Sequence, residues 1–396
     1  MAKESGSKPK TGSKSAPKSK ASGIQDDSNA LDDGYFNEEF DPDAPAFSES
    51  GLFGLPHDDA AEKAKIHLIP VPWEVTTSYG KGTGNGPAAI LRASRQVDLF
   101  DLETGDAWKV GFYMDPVSSV WKKRGRTLKE KAQERLEFLE AGEESASSEG
   151  LRAEINAASD ELNAWVEEQA TAKLKAGKIV GLVGGDHSTP FGLIQAISQH
   201  LKGDFGILHI DAHADLRDAY QGYTHSHASI MNNVIEKIKP RCLVQIGIRD
   251  FCREEFEMSE KHRGRSGDIG SARIVTHYDR SIKKRLNAGE SFDAIIKEII
   301  KDLPKNVYVS FDIDGLDPAL CPNTGTPVPG GLSFDQASGI FSALADSGKK
   351  IVGFDLNEVS EPEPGGAEWD ANVGARMLFK LCGWTAVTNG LAERRV

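Results

Sequence analysis

Three stretches of this 396-residue chain each run from a short apolar segment rich in Val and Ile straight into acids and histidines. Lys-Ile-Val-Gly-Leu-Val leads to Gly-Gly-Asp-His-Ser (Gly184 to Ser188), and Phe-Gly-Ile-Leu-His-Ile leads to Asp-Ala-His-Ala-Asp (Asp211 to Asp215). Val-Tyr-Val leads to Ser-Phe-Asp-Ile-Asp (Ser310 to Asp314). Unbroken apolar runs of this length read as strands of a parallel sheet, covered on both faces. Open α/β sheets bind their ligands at the carboxyl ends of such strands. The pattern therefore predicts one rim on which His187, Asp211, His213, Asp215, Asp312 and Asp314 meet.

Four carboxylates and two imidazoles on one rim repel one another unless positive charge sits between them. A mixed oxygen and nitrogen donor set suits hard or borderline divalent ions, Mn²⁺ or Ni²⁺ among them. Residues two apart in extended chain share a face, so Asp211, His213 and Asp215 are expected to point one way, as are Asp312 and Asp314. Six ligands exceed what one catalytic ion with an open position needs. They suit two divalent ions ~3.5–4 Å apart that share carboxylates and activate one water. Any single Asp-x-Asp is better read as solvated loop acids; three such segments at strand ends are not.

Charge narrows the partners. At a net charge of −13 the chain is a poor ligand for nucleic acid or an anionic membrane, and its acidic field favours a cationic substrate. No apolar stretch approaches the ~18 residues of a membrane span. Cys242, Cys252, Cys321 and Cys382 form no Cys-x-x-Cys pair and read as thiols of a reducing compartment, so a cytoplasmic location is expected. Residues 1–20 hold six Lys and one Glu among Ser, Gly and Pro, the composition of a disordered tail. Residues 21–60 hold eleven acids and no Lys or Arg. Tyr35, Phe36, Phe40, Phe47, Leu52 and Phe53 interrupt that acidic stretch, which suggests either a solubilising tail or an arm lying along the same or a neighbouring subunit near the mouth of the site.

Beyond this arm, strand and helix patterns alternate, the signature of a parallel sheet. Strands are expected at Ile66–Val71, Leu243–Ile248, Ile274–Thr276, Val307–Phe311 and Ile351–Leu356. Helices are expected at Val120–Glu140, Leu151–Leu174, His227–Ile238, Phe292–Asp302 and Phe334–Leu344, with residues 141–150 as a linker. Trp165 lies on an apolar helical stripe and reads as core or interface. The Gly-rich loop from Ser78 to Pro87 lacks a dinucleotide fingerprint and is expected to bend around the rim of the site. The organisation is a 1–60 extension followed by one domain, 61–396.

From Ile66 to Gly383 the chain resembles the ureohydrolase family of arginases, agmatinases and guanidine hydrolases. The likeness rests on the three segments above, Ser-His-Ala-Ser (Ser226 to Ser229), Gly-Leu-Asp-Pro (Gly315 to Pro318) and Asp-Leu-Asn-Glu-Val (Asp355 to Val359). It implies a three-layer α/β/α fold with a mostly parallel sheet, assembled as a trimer or hexamer. It also implies one ion on His187, Asp211, Asp215 and Asp312, and a second on His213, Asp211, Asp312 and Asp314. Glu358 then matches the glutamate that forks onto the guanidinium, and His227 the histidine that shuttles protons. Asp215 would bind metal and also accept a proton. His225 is a lesser candidate, and Asp186 reads as a loop-orienting acid. A metal-loading accessory protein is a further candidate partner.

The residues after Asp-Ala-His-Ala-Asp, Leu216 to Tyr223, carry no recognisable clamp for an amino-acid end, which disfavours arginine. The reading is a binuclear hydrolase that attacks a guanidinium carbon and releases urea. Free guanidine leads as substrate, agmatine follows and guanidino acids come third. Two other classes stay open, a single-zinc deacetylase of the same fold and a non-catalytic scaffold. Metal content separates them.

Overall fold

The computed structural model describes residues 40–56, 60–142, 145–366 and 368–396. Eight strands make one sheet: β1 (Ile66–Val71), β2 (Phe112–Met114), β3 (Ile179–Gly184), β4 (Gly206–Ile210), β5 (Cys242–Ile246), β6 (Arg273–His277), β7 (Asn306–Asp312) and β8 (Lys350–Asn357). Their order is β2-β1-β3-β8-β7-β4-β5-β6, and every neighbouring pair is parallel. Parallel strands need crossovers, and helices supply most of them. These are α1 (Ala60–Lys63), α2 (Gly86–Ser94), α3 (Ser119–Glu140), α4 (Ala146–Lys175), α5 (Phe191–Leu201) and α6 (Ile230–Asn233). Next come α7 (Arg253–Arg263), α8 (Asp279–Asn287), α9 (Phe292–Ile300), α10 (Phe334–Asp346) and α11 (Trp369–Thr388).

Alternation along the strands divides the core into two layers, one on each face of the sheet. Ile66, Leu68, Val244, Ile246, Val307 and Phe311 pack with α2, α8, α9, α10 and α11. Ile69, Val71, Val180, Leu182, Leu243 and Tyr308 face the opposite layer, built from α3, α4, α5 and α6. The architecture is the expected three-layer one. Trp165 sits half-buried against Trp121, its ring centroid 5.8 Å away, so it is a packing residue.

Two of the expected elements differ from the sequence reading by more than a residue or two at an end. Helix α4 begins at Ala146, inside the expected linker, because the Ser145 hydroxyl caps it by accepting the Ser148 amide at 3.2 Å. The expected helix over residues 227–238 is a short 3₁₀ turn, then α6, then a π-turn ending at Ile238.

Tyr35, Phe36 and the Lys-rich tail lie outside the described residues. Leu52, Phe53 and Leu55 join the core. Phe53 packs edge-on against Phe112 and Phe379, at 6.0 and 5.0 Å. Its backbone adopts a left-handed φ of 57°, a cost of roughly 1–2 kcal/mol, which burial of the ring, about 1.5–3 kcal/mol, offsets. Phe40 rests on Trp108, whereas Phe47 is exposed. This segment lies along α2, β2 and α11 and lines no part of the rim cavity described below. The expected placement near the mouth of the site is therefore not seen for residues 40–56, because their apolar anchors fit the core beside the edge strand β2. No described helix is long and apolar enough to cross a membrane.

Candidate metal centre

The four adjacent central strands, β3, β8, β7 and β4, each deliver functional groups at their carboxyl ends. His187 lies in the turn after β3, Asp211 directly follows β4, Asp312 closes β7 and Glu358 directly follows β8. Parallel neighbours end at the same height, so residues more than a hundred positions apart in sequence meet there. The topology brings all six expected metal ligands to one place.

How they converge differs from the simple alternation expected. Residues 211–215 form a loop, and Asp215 is turned inward by a left-handed φ of 55°. Asp314 lies in a 3₁₀ turn, Ile313–Gly315, held because the Asp312 side chain accepts the Asp314 amide at 2.8 Å. The irregular backbone, not strand pleat, aims these acids. Glu358, at a φ of 61°, is likewise aimed by left-handed backbone.

Two half-sites share Asp211. In the inner one, His187 Nδ1 lies 3.0 Å from Asp211 Oδ2 and 3.3 Å from a carboxylate oxygen of both Asp215 and Asp312. In the outer one, His213 Nδ1 lies 3.1 Å from Asp314 Oδ2 and 3.5 Å from Asp211 Oδ1. The two oxygens of Asp211 thus face different half-sites, as a bridging ligand requires.

Electrostatics show how strongly these side chains act on one another. Burial is the largest influence on Asp215, and with the neighbouring Asp211 charge it lifts that carboxyl to about 6. Burial, then Asp314 and Asp211, push Asp312 well above the usual carboxylate range. Burial opposes protonation of His187, yet hydrogen bonds to four carboxylates raise it well above an ordinary histidine. Each of these shifts has the same source, buried negative charge concentrated in a small volume. A compact set of buried carboxylate oxygens and imidazole nitrogens fits divalent cations, and these residues would hold them.

Sequence reasoning missed His209, which is fully buried beside Asp211, its Nε2 2.8 Å from Asp211 Oδ2. Its role follows from Gln245. The Gln245 amide oxygen accepts from Thr276, while its nitrogen donates to the Ala214 carbonyl and faces His209 Nδ1 at 3.0 Å. Nδ1 is therefore the acceptor, and Nε2–H donates to Asp211. His209 orients the bridging carboxylate. Its place inside an apolar strand run concealed it; a polar residue at a buried β4 position was the available signal.

Glu358 is buried, with Oε1 accepting the His187 amide at 3.0 Å and Oε2 left without a partner. Burial, reinforced by Asp186, raises its carboxyl well above normal. A buried unpaired carboxylate oxygen is costly unless a cation or donor meets it. Half-buried His227 is held down to about 4, first by burial and then by the His213 charge, so it is neutral at pH 7. Its ring lies 6.2 Å from that of Tyr220. His225 turns the other way, with Nδ1 3.1 Å from Asn163 and Nε2 3.1 Å from Asp160, and braces α4 instead of serving the centre. Asp186 accepts from Ser188 and from the Val75 amide at 3.2 Å, and so orients the loop as expected.

A cavity of about 170 Å³ opens off the outer half-site, lined by His213, Asp215, Arg217, Tyr220, Asp250 and Glu255, among others. A larger hollow of about 520 Å³, between residues 40–56 and 95–99, has none of these groups and is remote from the chemistry. Arg217 stacks on Tyr220 and lies 3.8 Å from Glu255.

The profile of the arginase family matches residues 64–383. The N(1)-aminopropylagmatine ureohydrolase of Thermus thermophilus is 33% identical over 86% of this chain and 96% of its own. The agmatinase of Bacillus anthracis is 27% identical over 78% and 89%. Among solved structures, proclavaminate amidino hydrolase from Streptomyces clavuligerus superposes with a TM-score of 0.63 at 22% identity, covering 87% of this chain and 99% of that one. At that identity the likeness concerns the fold.

Proposed function

The chain belongs to the arginase family, whose members are metal-dependent hydrolases that break C–N bonds and release urea, and from that premise we propose that its substrate is a small guanidino compound with an amine at its far end. Agmatine and N-substituted agmatines are of this kind. The observation that carries the reading is the lining of the rim cavity. With Asp215 turned to the centre and Glu255 3.8 Å from Arg217, Asp250 is the acid that the cavity wall offers to the far end of a substrate. An acid-lined mouth favours an ammonium tail over the carboxylate of a guanidino acid. The names of the relatives point the same way, towards agmatine-type substrates more than towards free guanidine.

A pair of divalent ions, Mn²⁺ or Ni²⁺, on His187, Asp211, Asp215 and Asp312 and on His213, Asp211, Asp312 and Asp314 would supply Lewis acidity and an activated water. The protein's own groups do the rest. Glu358 Oε2, buried and unpaired, offers a charge-assisted acceptor to the guanidinium N–H groups. Asp215, buried beside the reacting carbon's site, would take the proton released as the C–O bond forms. Neutral His227, at the cavity wall, passes a proton towards the departing amine. A cytoplasmic homo-oligomer, trimeric or hexameric, with or without a metal-loading partner, completes the reading.

Urea release from agmatine, N(1)-aminopropylagmatine, guanidinobutyrate and guanidine, after loading with each metal, tests it. Amine-tailed compounds are expected to turn over fastest. Asp250→Asn should raise KM for agmatine and leave guanidine unaffected. Faster release from guanidine than from agmatine would transfer the assignment to a substrate with no tail.

A further inference from the structure

Glu358 has no regular element around it. It leaves β8 in a left-handed conformation, and the residues that follow it, Val359 to Glu361, touch the Gly-rich loop from Gly80 to Gly86. The Glu361 amide donates to the Gly82 carbonyl at 3.1 Å, and the Ser360 hydroxyl to the Lys81 carbonyl at 2.7 Å. At Gly82, with φ of 108°, a Cβ would come within 2.5 Å of the Glu361 backbone. On the far flank, the Gly80 amide donates to the Gly325 carbonyl at 2.8 Å. A Cβ at Gly325 would lie 2.8 Å from Glu358 Oε2. The loop is thus one wall of the carboxylate's seat.

One side chain holds that loop in shape. Glu74 Oε2 accepts the Gly82 amide at 3.0 Å and the Gly84 amide at 2.9 Å. Its other oxygen accepts from Lys129 on α3, whose ammonium also donates to the Thr77 hydroxyl at 2.9 Å. Glu74 and Lys129 keep only 12% and 29% of their side-chain surface in water, so the pair is partly shielded. The next residues tie the same loop to the centre. The Val75 amide donates to Asp186, and the Thr76 hydroxyl accepts the His227 amide at 3.3 Å.

We propose that Glu74, anchored by Lys129, is a positioning residue: it fixes the Gly-rich loop so that the Glu358 carboxylate stands where a guanidinium binds. The inference rests on the reading of Glu358 given above. Glu74 touches neither substrate nor metal ligand. Its carboxylate gathers two loop amides, and Lys129 holds it aimed at them. Loss of the charge frees the loop and, through Gly82 and Gly80, both flanks of Glu358. A carboxylate displaced by even ~1 Å loses much of its hold on a small planar cation, a cost between about tenfold and a hundredfold in kcat/KM.

The test compares Glu74→Gln, Lys129→Met and Lys129→Arg in the metal-loaded enzyme, with Glu358→Gln as reference. The readings are kcat and KM for agmatine and guanidine, competition by methylguanidinium, inhibition by fluoride and metal content. Glu74→Gln and Lys129→Met are expected to raise KM and weaken methylguanidinium at least about tenfold. Metal content and fluoride inhibition, which report the ions alone, stay unchanged, and Lys129→Arg restores most of the binding. Unaltered guanidinium affinity in both Glu74→Gln and Lys129→Met overturns the inference. So does parallel loss of metal, which would make the pair a general support of the fold. If Glu358→Gln itself leaves guanidinium affinity intact, the reading of Glu358 fails and the inference falls with it; if only Glu358→Gln weakens it, the inference fails alone.

Discussion

The two halves of the candidate metal centre use the same residue types but are built to different standards. The inner half is sealed: His187 has 1% of its side chain exposed, touches three carboxylates through Nδ1 and is braced through Nε2 by the Ser310 hydroxyl at 2.9 Å. The outer half faces the cavity: His213 is 24% exposed, and its Nε2 lies 4.0 Å from the exposed acid Asp250. Only Asp211 and, through its backbone-tied neighbour, Asp312 belong to both. A ligand fixed on both sides pays little entropy when an ion binds, whereas one open to solvent must be ordered by the ion. The inner half should therefore hold its ion more tightly, and the outer half should exchange its ion and meet the substrate.

The largest effect that could break this division is at the shared ligand. Asp211→Ala removes a donor from both halves, so both ions should be lost and activity should fall by at least about 10³-fold, more than one electrostatic contact supplies. Mass-spectrometric metal counting checks it, and a variant that keeps one ion would mean that Asp211 serves a single half. Next in size, His213→Ala should retain one ion per chain while His187→Ala retains fewer. Chelator treatment of the intact enzyme should remove the ions in two phases, and a single phase would erase the distinction. The smallest effect is with pH. The Asp215 carboxyl, raised to about 6 by burial, must lose its proton before it can bind an ion. Its protonated form dominates below that pH, so metal affinity should fall as pH drops through about 6, and the raised His187 and Asp312, which must also shed protons, extend the rise of affinity to higher pH. Calorimetric Mn²⁺ titrations at pH 5 and 7.5 measure this, and equal affinities would contradict the burial argument.

Much of the site was legible because its residues are short-range signals at the ends of apolar runs. His187, Asp211 and Asp312 are announced by β3, β4 and β7, whose composition alone marks them as buried parallel strands. The partly described arm was legible in kind, since Leu52 and Phe53 needed an apolar partner, but not in place. Three histidines mark where local pattern stops. His209 looked like part of a strand, and only its packing against Gln245 gives it a function. His225 and His227 are neighbours in one motif, yet the turn after Ser226 sends one ring to Asn163 and the other to the cavity. No local pattern distinguishes them, because the backbone there follows neither the strand nor the helix period.

The amino-acid sequence by itself determined the chemistry and the layers: which acids and imidazoles exist, that strands end in them, and that alternation would bury both faces of a sheet. Those are consequences of composition and periodicity, which act over a few residues. Tertiary structure alone decided the order β3-β8-β7-β4, the inward turn of Asp215 and the seat of Glu358 against a loop held from α3. Each depends on contacts between segments far apart in the chain, and such contacts have no counterpart in local pattern until the whole core closes.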